Sequence, residues 1–252
     1  MTSNRRAPWQ RLALLLGLLI IASSLSGCTM ARAIFDDFGD FEDFGEEPSI
    51  ERVWDPLEPY NRVMFHFNDA VYVYALDPAG RVWRFIIPKP ARIGIANAFD
   101  NVATPVRLVN DLLQLAPGKA GTELGRFVIN STIGVLGLWD AADDLFDIKA
   151  PPAEDLGQTL GYWGVGPGPP FVLPFLGPSN IRDTVGYVGD LFLHPGTYFL
   201  TRPVQLGVTT GETINKTSLR IGEYESLKGD ALDPYTLLRD AYQQNREREI
   251  ER

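Results

Sequence analysis

The sequence is poor in cysteine and histidine, and it has no long apolar run beyond its N-terminal segment. Cys28 is the only cysteine among 252 residues, so an intrachain disulfide and a thiolate metal cluster are both excluded. His66 and His194 are the only histidines, and no spacing of histidines and carboxylates resembles a metal site. After the N-terminal segment, no run reaches the roughly 18 apolar residues typical of a transmembrane helix. Packing alone must therefore hold the core together.

Motifs for catalysis and for nucleotide binding are also absent. The sequence has no Gly-x-Ser-x-Gly elbow of a serine hydrolase, and its Gly-rich stretch lacks the lysine that a phosphate-binding P-loop requires. The net charge of −9 arises from 32 acidic and 23 basic residues, without a strong basic patch. Such a polyanion is not expected to bind nucleic acid. The sequence therefore predicts a protein that is not an enzyme and that needs no cofactor or metal.

The N-terminus is built like an export signal. Three arginines, the last of them Arg11, precede an apolar stretch at residues 12–22 that is too short for a stable bilayer span. The following tetrapeptide, Leu25-Ser26-Gly27-Cys28, resembles a bacterial lipobox, in which the cysteine receives a diacylglycerol and becomes the new N-terminus. The alternative is an ordinary signal peptide with a chance cysteine. The lipobox interpretation predicts a mature protein that is tethered to a membrane outside the cytoplasm.

Composition divides the chain into four parts. Residues 1–27 form the lipoprotein signal peptide, 28–53 a lipidated acidic tether, 54–242 a helical domain and 243–252 a charged C-terminal tail. The tether is too acidic to fold alone, yet phenylalanines recur at every third position from Phe35 to Phe44. It is either a solvated linker or a short segment that docks on a partner or a membrane surface.

Apolar periodicity predicts a mainly α fold after the tether. We expect the charged helix that begins near Asp233 to face water. The sequence slightly favours a buried core helix for residues 127–139, although a helix of this length also suits insertion into one leaflet. The predicted helices are 60–76, ended by Asp77-Pro78; 91–115, with a break at Thr104-Pro105; 119–139; 181–193, capped by Asn180; and 204–218.

Residues 157–178 carry so many glycines and prolines that we expect no regular helix there. The interpretation is an irregular apolar loop, with a short strand or hairpin near residues 171–173. The next helix contains Gly186 and Gly189, which should give it a thin side for close packing.

Several motifs occur in the order of one known family. From residue 54 to residue 242, with the lipobox upstream, this order resembles the MlaA (VacJ) lipoproteins. The acidic tether and the short C-terminal tail depart from the family pattern. The motifs are Asp55-Pro56-Leu57-Glu58, Tyr60-Asn61-Arg62, Phe67-Asn68, Pro90-Ala91-Arg92, Arg126-Phe127, Asn130-Ser131-Thr132, Leu173-Pro174-Phe175, Arg182-Asp183 and Asp233-Pro234-Tyr235.

The resemblance implies a ring- or horseshoe-like bundle of short amphipathic helices, embedded in the periplasmic leaflet of the outer membrane beside a trimeric porin. It implies a channel through which phospholipids that are mislocalised to the outer leaflet pass to a periplasmic lipid-carrier protein. Lipid asymmetry of the outer membrane is thereby maintained. A rival hypothesis is a lipid-anchored periplasmic scaffold that docks a partner and moves no lipid.

Two sets of residues are the candidates for the lipid path. An arginine within apolar sequence is costly to bury unpaired, so the arginines of the family-like motifs either meet a lipid headgroup or pair with an acid inside the protein. The Gly/Pro-rich stretch is expected to line or gate the path. The candidates for headgroup contact are Arg62, Arg92, Arg126 and Arg182, and those for the lipid path are Gly161, Gly164, Gly166, Gly168, Pro169, Leu173 and Pro174.

Overall fold

The computed structural model describes residues 54–229 and 231–252, and this part of the chain is mainly helical. The predicted α fold class is confirmed. Outside the helices, the described residues pair as strands only in isolated β-bridges, between Pro170 and Asn180 and between Leu173 and Gly177. The predicted signal peptide, the anchor at Cys28 and the tether lie outside the described residues and stay predictions.

The first helical segment runs through the proline that the sequence predicts to end it. α1 (Glu58–Val71) continues through a π-helical turn (Tyr72–Leu76) into α2 (Asp77–Ile86). The backbone N–H of Asp77 donates to the carbonyl of Tyr72, five residues earlier. Pro78 lacks an N–H, and its ring would crowd the preceding turn of an ordinary α-helix. The wider π turn lies where this crowding would occur, so the prediction of a helix end at Asp77-Pro78 is wrong.

The next two helices differ from their predictions in opposite ways. α3 (Lys89–Leu113) is one helix that includes Pro105, so the predicted break is absent. α4 (Pro117–Thr132) ends well before Trp139, so the prediction of a helix over 119–139 is wrong in its last part.

Gly134 gives the reason for the early end of α4. A Cβ there would lie 2.2 Å from the carbonyl oxygen of Trp139, so the chain folds back on itself where only glycine fits. Val135 and Leu136 then adopt positive φ angles. Val135, Leu136 and Leu138 are exposed, so this part of residues 127–139 does not form the buried core helix that the sequence slightly favours.

The remaining helices include four short ones that the sequence does not predict, α5, α6, α8 and α10 as defined below. The Gly-rich stretch begins with α6, which is helical because the Asp155 side chain accepts a hydrogen bond from the Gln158 N–H. The predicted cap at Asn180 is confirmed, since its side chain accepts from the Asp183 N–H at 2.8 Å. The helices are α5 (Ala141–Phe146), α6 (Leu156–Tyr162), α7 (Ile181–Leu193), α8 (Gly196–Phe199), α9 (Arg202–Leu219), α10 (Glu223–Gly229) and α11 (Pro234–Glu251).

The helices contact one another in a closed circuit. α2 packs along α9, α9 packs along α3, and α3 contacts both α6 and α7. α6 contacts α11, and the start of α11 returns to α1, where the rings of Tyr235 and Phe65 lie 6.0 Å apart. Because α1 leads through the π-helical turn into α2, the series of contacts closes on itself.

The last helix is part of this circuit, which corrects the expectation that it faces water. Tyr242 and Arg246 on α11 are both buried. They lie against α6 and α7, whose polar groups they contact. The charges of α11 therefore do not reveal that one of its faces is inside the protein.

α6 and α7 cross with their backbones in contact. A Cβ at Gly186 would lie 2.2 Å from the backbone nitrogen of Gly157 and would collide with the other helix. At Gly189 a Cβ would meet the side chain of Leu156 instead. The predicted thin side of α7 is confirmed.

We expect Gly186→Ala to lower the free energy of unfolding by about 2 kcal/mol, because the added methyl group must push two backbones apart. Gly207→Ala on α9 is the matched control, since a Cβ there meets no atom within 4 Å. The control should be stabilising by roughly 0.5–1 kcal/mol. Thermal unfolding of both variants in detergent, followed by circular dichroism, measures the difference. Equal melting temperatures would contradict the close crossing.

Among the helices described, none combines the length and the apolar character that crossing a membrane would require.

Candidate functional site

The distribution of polar and apolar side chains is inverted relative to a water-soluble protein. Among the described residues, buried polar and charged side chains outnumber buried hydrophobic ones. Large apolar side chains lie outside instead: Phe85 is 92% exposed, Phe199 84% and Tyr74 82%. Interiors of soluble proteins are normally apolar, and large exposed apolar surface marks contact with a partner or a membrane. The protein therefore has a polar interior and an apolar exterior.

One buried polar network joins α3, α6 and α7. Asn110 donates to a carboxylate oxygen of Asp190 at 2.9 Å and accepts from the Thr159 hydroxyl at 2.9 Å. The second carboxylate oxygen of Asp190 accepts from the Leu156 N–H at 3.0 Å. Burial, together with the nearby charge of Asp155, raises the pKa of Asp190 to about 7. The network gives these buried polar groups hydrogen-bond partners inside the protein.

A second buried carboxyl group belongs to Asp111 on α3. Neither of its oxygens has a hydrogen-bond partner within the described residues. Burial, with the charges of Glu123 and Glu154, raises the pKa of Asp111 to about 7. Both acids lie in ion pairs, Glu123 with Arg107 at 2.9 Å and Glu154 with Lys119 at 2.8 Å. The interior near the C-terminal end of α3 is thus strongly charged.

Asn61 holds the Gly/Pro-rich loop against α1. Its side-chain amide donates to the carbonyl of Pro170 at 3.1 Å, and its side-chain oxygen accepts from the Val172 N–H at 2.9 Å. The same amide donates to Asp55 at 3.0 Å. Asn61 is fully buried, so it binds the loop backbone as a neighbouring strand would.

Two turns further along α1, Asn68 repeats this contact. It donates to the carbonyl of Leu173 at 2.9 Å and accepts from the Phe175 N–H at 2.7 Å. Aromatic pairs accompany both contacts: the rings of Tyr60 and Phe171 stack at 5.3 Å, and those of Phe67 and Phe175 meet edge to face at 4.9 Å. Asn61 and Asn68 with these two aromatic pairs form what we call the loop clamp.

A third polar cluster ties α11 to α6 and α7. Asp183 accepts from Arg182 at 2.9 Å, from Arg246 at 3.1 Å and from the Tyr242 hydroxyl at 3.0 Å. Arg246 also donates to both oxygens of Asp155 at 2.9 Å. Burial alone would raise the pKa of Asp183, but the two arginines hold it below its ordinary value. This cluster, the C-terminal clamp, joins residues far apart in the chain.

The part of the chain that forms this fold matches one family of known proteins. The sequence model described as MlaA lipoprotein matches residues 53–249. The chain belongs to the MlaA lipoprotein family. The resemblance in the motifs is thereby confirmed.

Individual members of the MlaA lipoprotein family are similar to this chain in sequence and in fold. The intermembrane phospholipid transport system lipoproteins MlaA of Escherichia coli (strain K12) and Shigella flexneri are each 36% identical over 191 residues, which cover 75% of this chain and 75% of each relative. A solved structure, described as the structural basis for maintenance of bacterial outer membrane lipid asymmetry, is 34% identical and superposes with a TM-score of 0.69. The superposition covers 78% of this chain and 99% of the chain in the solved structure.

Within this MlaA family fold, the candidates for the lipid path occupy two environments. Gly164, Gly166 and Gly168 are exposed, whereas Pro169, Leu173 and Pro174 are half-buried beside the loop clamp. Gly161 lies apart from the loop, inside α6, where a Cβ would meet Ile250 at 2.5 Å and Arg182 at 3.0 Å. The prediction that residues 157–178 are wholly irregular is therefore wrong at their start. A role for these residues in a lipid path stays a prediction.

The exposed glycines of the loop allow a matched test. Gly164 has a φ of +85°, which strains any β-branched residue, whereas Gly166 has no such angle, and a Cβ at Gly166 would meet no atom within 4 Å. We expect Gly164→Val to destabilise the loop by about 1 to 2 kcal/mol and Gly166→Val to leave stability unchanged. Limited proteolysis of both purified variants measures this, with protein levels compared in cells. Equal cleavage of the two variants would contradict the prediction.

All four arginines proposed to meet a headgroup make hydrogen bonds inside the protein. Arg62 pairs with Glu58 at 2.8 Å and with Asp233 at 2.6 Å, and its guanidinium lies 4.8 Å from the ring centre of Tyr235. The hydrogen bond from Arg62 lowers the pKa of Asp233. Arg182 is the partner of Asp183 in the C-terminal clamp.

Arg92 and Arg126 are also held internally. Arg92 is buried and donates to the carbonyl of Ser218 at 2.6 Å, at the C-terminal end of α9, where the helix dipole favours a cation. Arg126 pairs with Asp140 at 2.7 Å and donates to the carbonyl of Ile148. The four arginines are spread over different helix junctions. Contact of any of them with a headgroup stays a prediction.

Sequence reasoning missed the residues that organise this interior. Asn61 and Asn68 stand seven residues apart, a spacing that places two amides on one face of a helix, and this signal is present in the sequence. Arg246 gives no such signal, because it lies among other charges on α11. Over the residues that the structure covers, no group of three or more histidine, cysteine, aspartate or glutamate side chains is placed to hold a metal ion.

Proposed function

We propose that this protein is a lipid-anchored component of intermembrane phospholipid transport. In this role it removes mislocalised phospholipids from the outer leaflet of the outer membrane and passes them to a soluble periplasmic carrier. The proposal rests on membership of the MlaA family, whose relatives are named for phospholipid transport. The structural relative is described in terms of outer membrane lipid asymmetry.

The observation that carries the proposal is the inverted distribution of side chains. Exposed apolar residues occur on many helices, which suits a body surrounded by acyl chains. The buried charged groups suit an interior that accommodates a polar headgroup and water. A lipid passage requires both environments, because a phospholipid has an apolar and a polar end.

In this proposal the body lies in one leaflet, and the length of its helices supports this. α7 has 13 residues, which span about 20 Å at 1.5 Å per residue, less than the roughly 30 Å of the hydrocarbon core. Irregular backbone at membrane depth is tolerated where protein or water satisfies it, and the loop clamp supplies such partners for the Gly/Pro-rich loop. We assign this loop to the wall of the lipid path, with a trimeric porin beside the body. Arg62, the most exposed of the four arginines, is the best placed to meet headgroups at the surface.

The function is tested by measuring phospholipid on the cell surface. Deletion of the protein should increase the labelling of phosphatidylethanolamine by an amine reagent that does not cross the membrane. The wild-type chain should restore the low level, whereas Cys28→Ala should not, because without lipidation at Cys28 the chain is no longer processed and sorted to the outer membrane as a lipoprotein. Unchanged labelling after deletion would favour the scaffold hypothesis.

Membrane depth is tested with a form that is exported by a cleavable signal peptide and lacks Cys28. We expect this body to stay with membranes after a high-salt wash, since apolar burial contributes roughly 25 cal/mol per Å² and does not depend on charge. Release into the soluble fraction would argue against insertion into a leaflet.

A further inference from the structure

Helices α2 and α3 meet at an exposed corner that carries positive charge in an acidic protein. The other long acid-free stretches of the domain, residues 156–182 and 191–211, contain one arginine each. Local positive charge offsets the repulsion that an acidic body meets at an anionic surface. We call residues 81–89 the cationic corner. The acid-free stretch around it, residues 78–99, contains four basic residues: Arg81, Arg84, Lys89 and Arg92.

The two available cations of the corner are Arg84 and Lys89. Both are exposed, and neither forms an ion pair or a side-chain hydrogen bond with another described residue. Arg81 differs because it pairs with Asp77 at 2.8 Å, and Arg92 is buried. Lys89 is the first residue of α3, so the positive end of the helix dipole adds to its charge. Arg84 and Lys89 can therefore bind an anion from outside the protein.

Phe85 and Ile86 lie between these two cations in the sequence and point away from the body. Gly80 and Trp83 face α9 instead. A Cβ at Gly80 would lie 3.3 Å from a backbone nitrogen of α9, and the Trp83 indole donates to a side chain of α9 at 3.0 Å. On the opposite side of α2, Val82 is 59% exposed, Phe85 92% and Ile86 63%. An apolar face flanked by cations is typical of a helix that lies in a membrane interface, where Lys and Arg side chains reach the headgroups.

Arg92 holds the corner in this shape from inside. Its guanidinium donates to the carbonyl of Ile87 at 3.1 Å and to the carbonyl of Ser218 at 2.6 Å. The Asn215 side chain donates to the carbonyl of Arg92 at 2.9 Å and accepts from Trp83, so α9 binds both helices of the corner. These contacts fix the backbone on both sides of the corner. The exposure of its apolar side chains is therefore a property of the packed structure and indicates a partner outside it.

We propose that the cationic corner binds the membrane surface through anionic phospholipids, with their phosphates on Arg84 and Lys89 and with Phe85 and Ile86 among the acyl chains. The inference rests on the proposed function for the lipid environment. It identifies which part of the body meets the headgroups and which headgroups it favours. A lipid with net negative charge, such as phosphatidylglycerol, presents its phosphate without an ammonium group that would repel the two cations.

The test uses the full-length lipidated protein in two kinds of vesicle, phosphatidylcholine alone and an equal mixture with phosphatidylglycerol. Thermal unfolding, followed by circular dichroism, gives the shift in melting temperature that phosphatidylglycerol causes. We expect a wild-type shift of about 4–8 °C, since each cation near an anionic surface should contribute about half of it in a domain of this size. Arg84→Gln/Lys89→Gln should lose most of the shift, and high salt should remove it from the wild type.

The apolar side chains of the corner are tested separately with Phe85→Ser/Ile86→Ser. This variant should melt at a lower temperature in both kinds of vesicle and should keep the shift, because contact with acyl chains does not depend on headgroup charge. Unchanged melting in both would overturn the placement of Phe85 and Ile86 among the acyl chains.

Lys149→Gln/Arg248→Gln is the matched control for charge, because it removes two exposed cations that lie elsewhere, Lys149 beside Asp143 and Arg248 on α11. It should retain the wild-type shift. A wild type that melts alike in both kinds of vesicle would overturn the proposal, as would an equal loss of the shift in the control. A shift that survives in Arg84→Gln/Lys89→Gln would also overturn it and would favour a protein with an acidic surface as the partner of the corner. These outcomes are independent of the surface labelling of phosphatidylethanolamine, which tests the proposed function itself.

Discussion

We expect Arg246→Ala to lower the free energy of unfolding by about 4 kcal/mol, the largest of the expected effects. Arg246 is 3% exposed and joins Asp155 and Asp183, so its removal leaves two carboxylates without their shared cation. Arg182 still contacts Asp183, but Asp155 loses both hydrogen bonds from the guanidinium. α11 should then detach from α6 and α7. Thermal unfolding in detergent measures the loss of stability, and proteolysis near the C-terminus reports the detachment.

The control for this prediction is on the same helix. Arg248 is exposed, and its guanidinium donates a long hydrogen bond, at 3.4 Å, to the carbonyl of Gln244. Arg248→Ala removes the same charge from the chain, and we expect a change within about 0.5 kcal/mol. If both arginine variants melted together, the C-terminal clamp would not be a source of stability.

The second large effect is expected at the loop clamp. Asn61→Ala removes the acceptor of the Val172 N–H and the donor to the Pro170 carbonyl, two buried backbone groups. Leaving such groups unsatisfied should cost about 3 kcal/mol. The loop should separate from α1, and the amide of Val172 should exchange hydrogen much faster. If the loop lines the lipid path, transfer of phospholipid to the carrier should fall as well.

His66→Ala separates this effect from a general weakening of α1. His66 is exposed on the same helix, so its removal should not alter exchange at Val172. Hydrogen exchange of both variants, measured by mass spectrometry on the peptide that contains residues 170–175, makes the comparison. Protection of Val172 that survives in Asn61→Ala would show that the aromatic pairs alone hold the loop.

Much of the local structure and the family could be predicted from the sequence. Asn180 is recognisable as a helix cap because its hydrogen bond is to a residue three positions away. Gly186 is recognisable as part of a thin helix side because small residues at helical spacing have few other uses. The family motifs are recognisable for a similar reason, since each is a short run of neighbouring residues. Each of these features depends on nearby residues, and the printed sequence contains all of them.

Some local predictions were wrong because the backbone adopted a conformation other than the one that its residues usually favour. A proline usually ends a helix, but the π-helical turn at Tyr72–Leu76 lets the chain pass Pro78 without a break. The apolar run after Thr132 has helical composition, yet it turns because Gly134 approaches the carbonyl of Trp139. In both places the deciding factor is a backbone contact that composition does not show.

By itself, the sequence determined the α-helical class, the helix cap at Asn180, the acidic charge and the family, because these follow from neighbouring residues and motif order. Only the tertiary structure decided which face of each helix is inside. Periodicity separates a polar face from an apolar one, but it does not say which of the two meets the surroundings. Arg246 contacts Asp183 and Asp155 across 63 and 91 positions of the chain. Contacts of such separation exist only once the helices have packed, and they place the polar residues in the interior and leave the apolar ones outside.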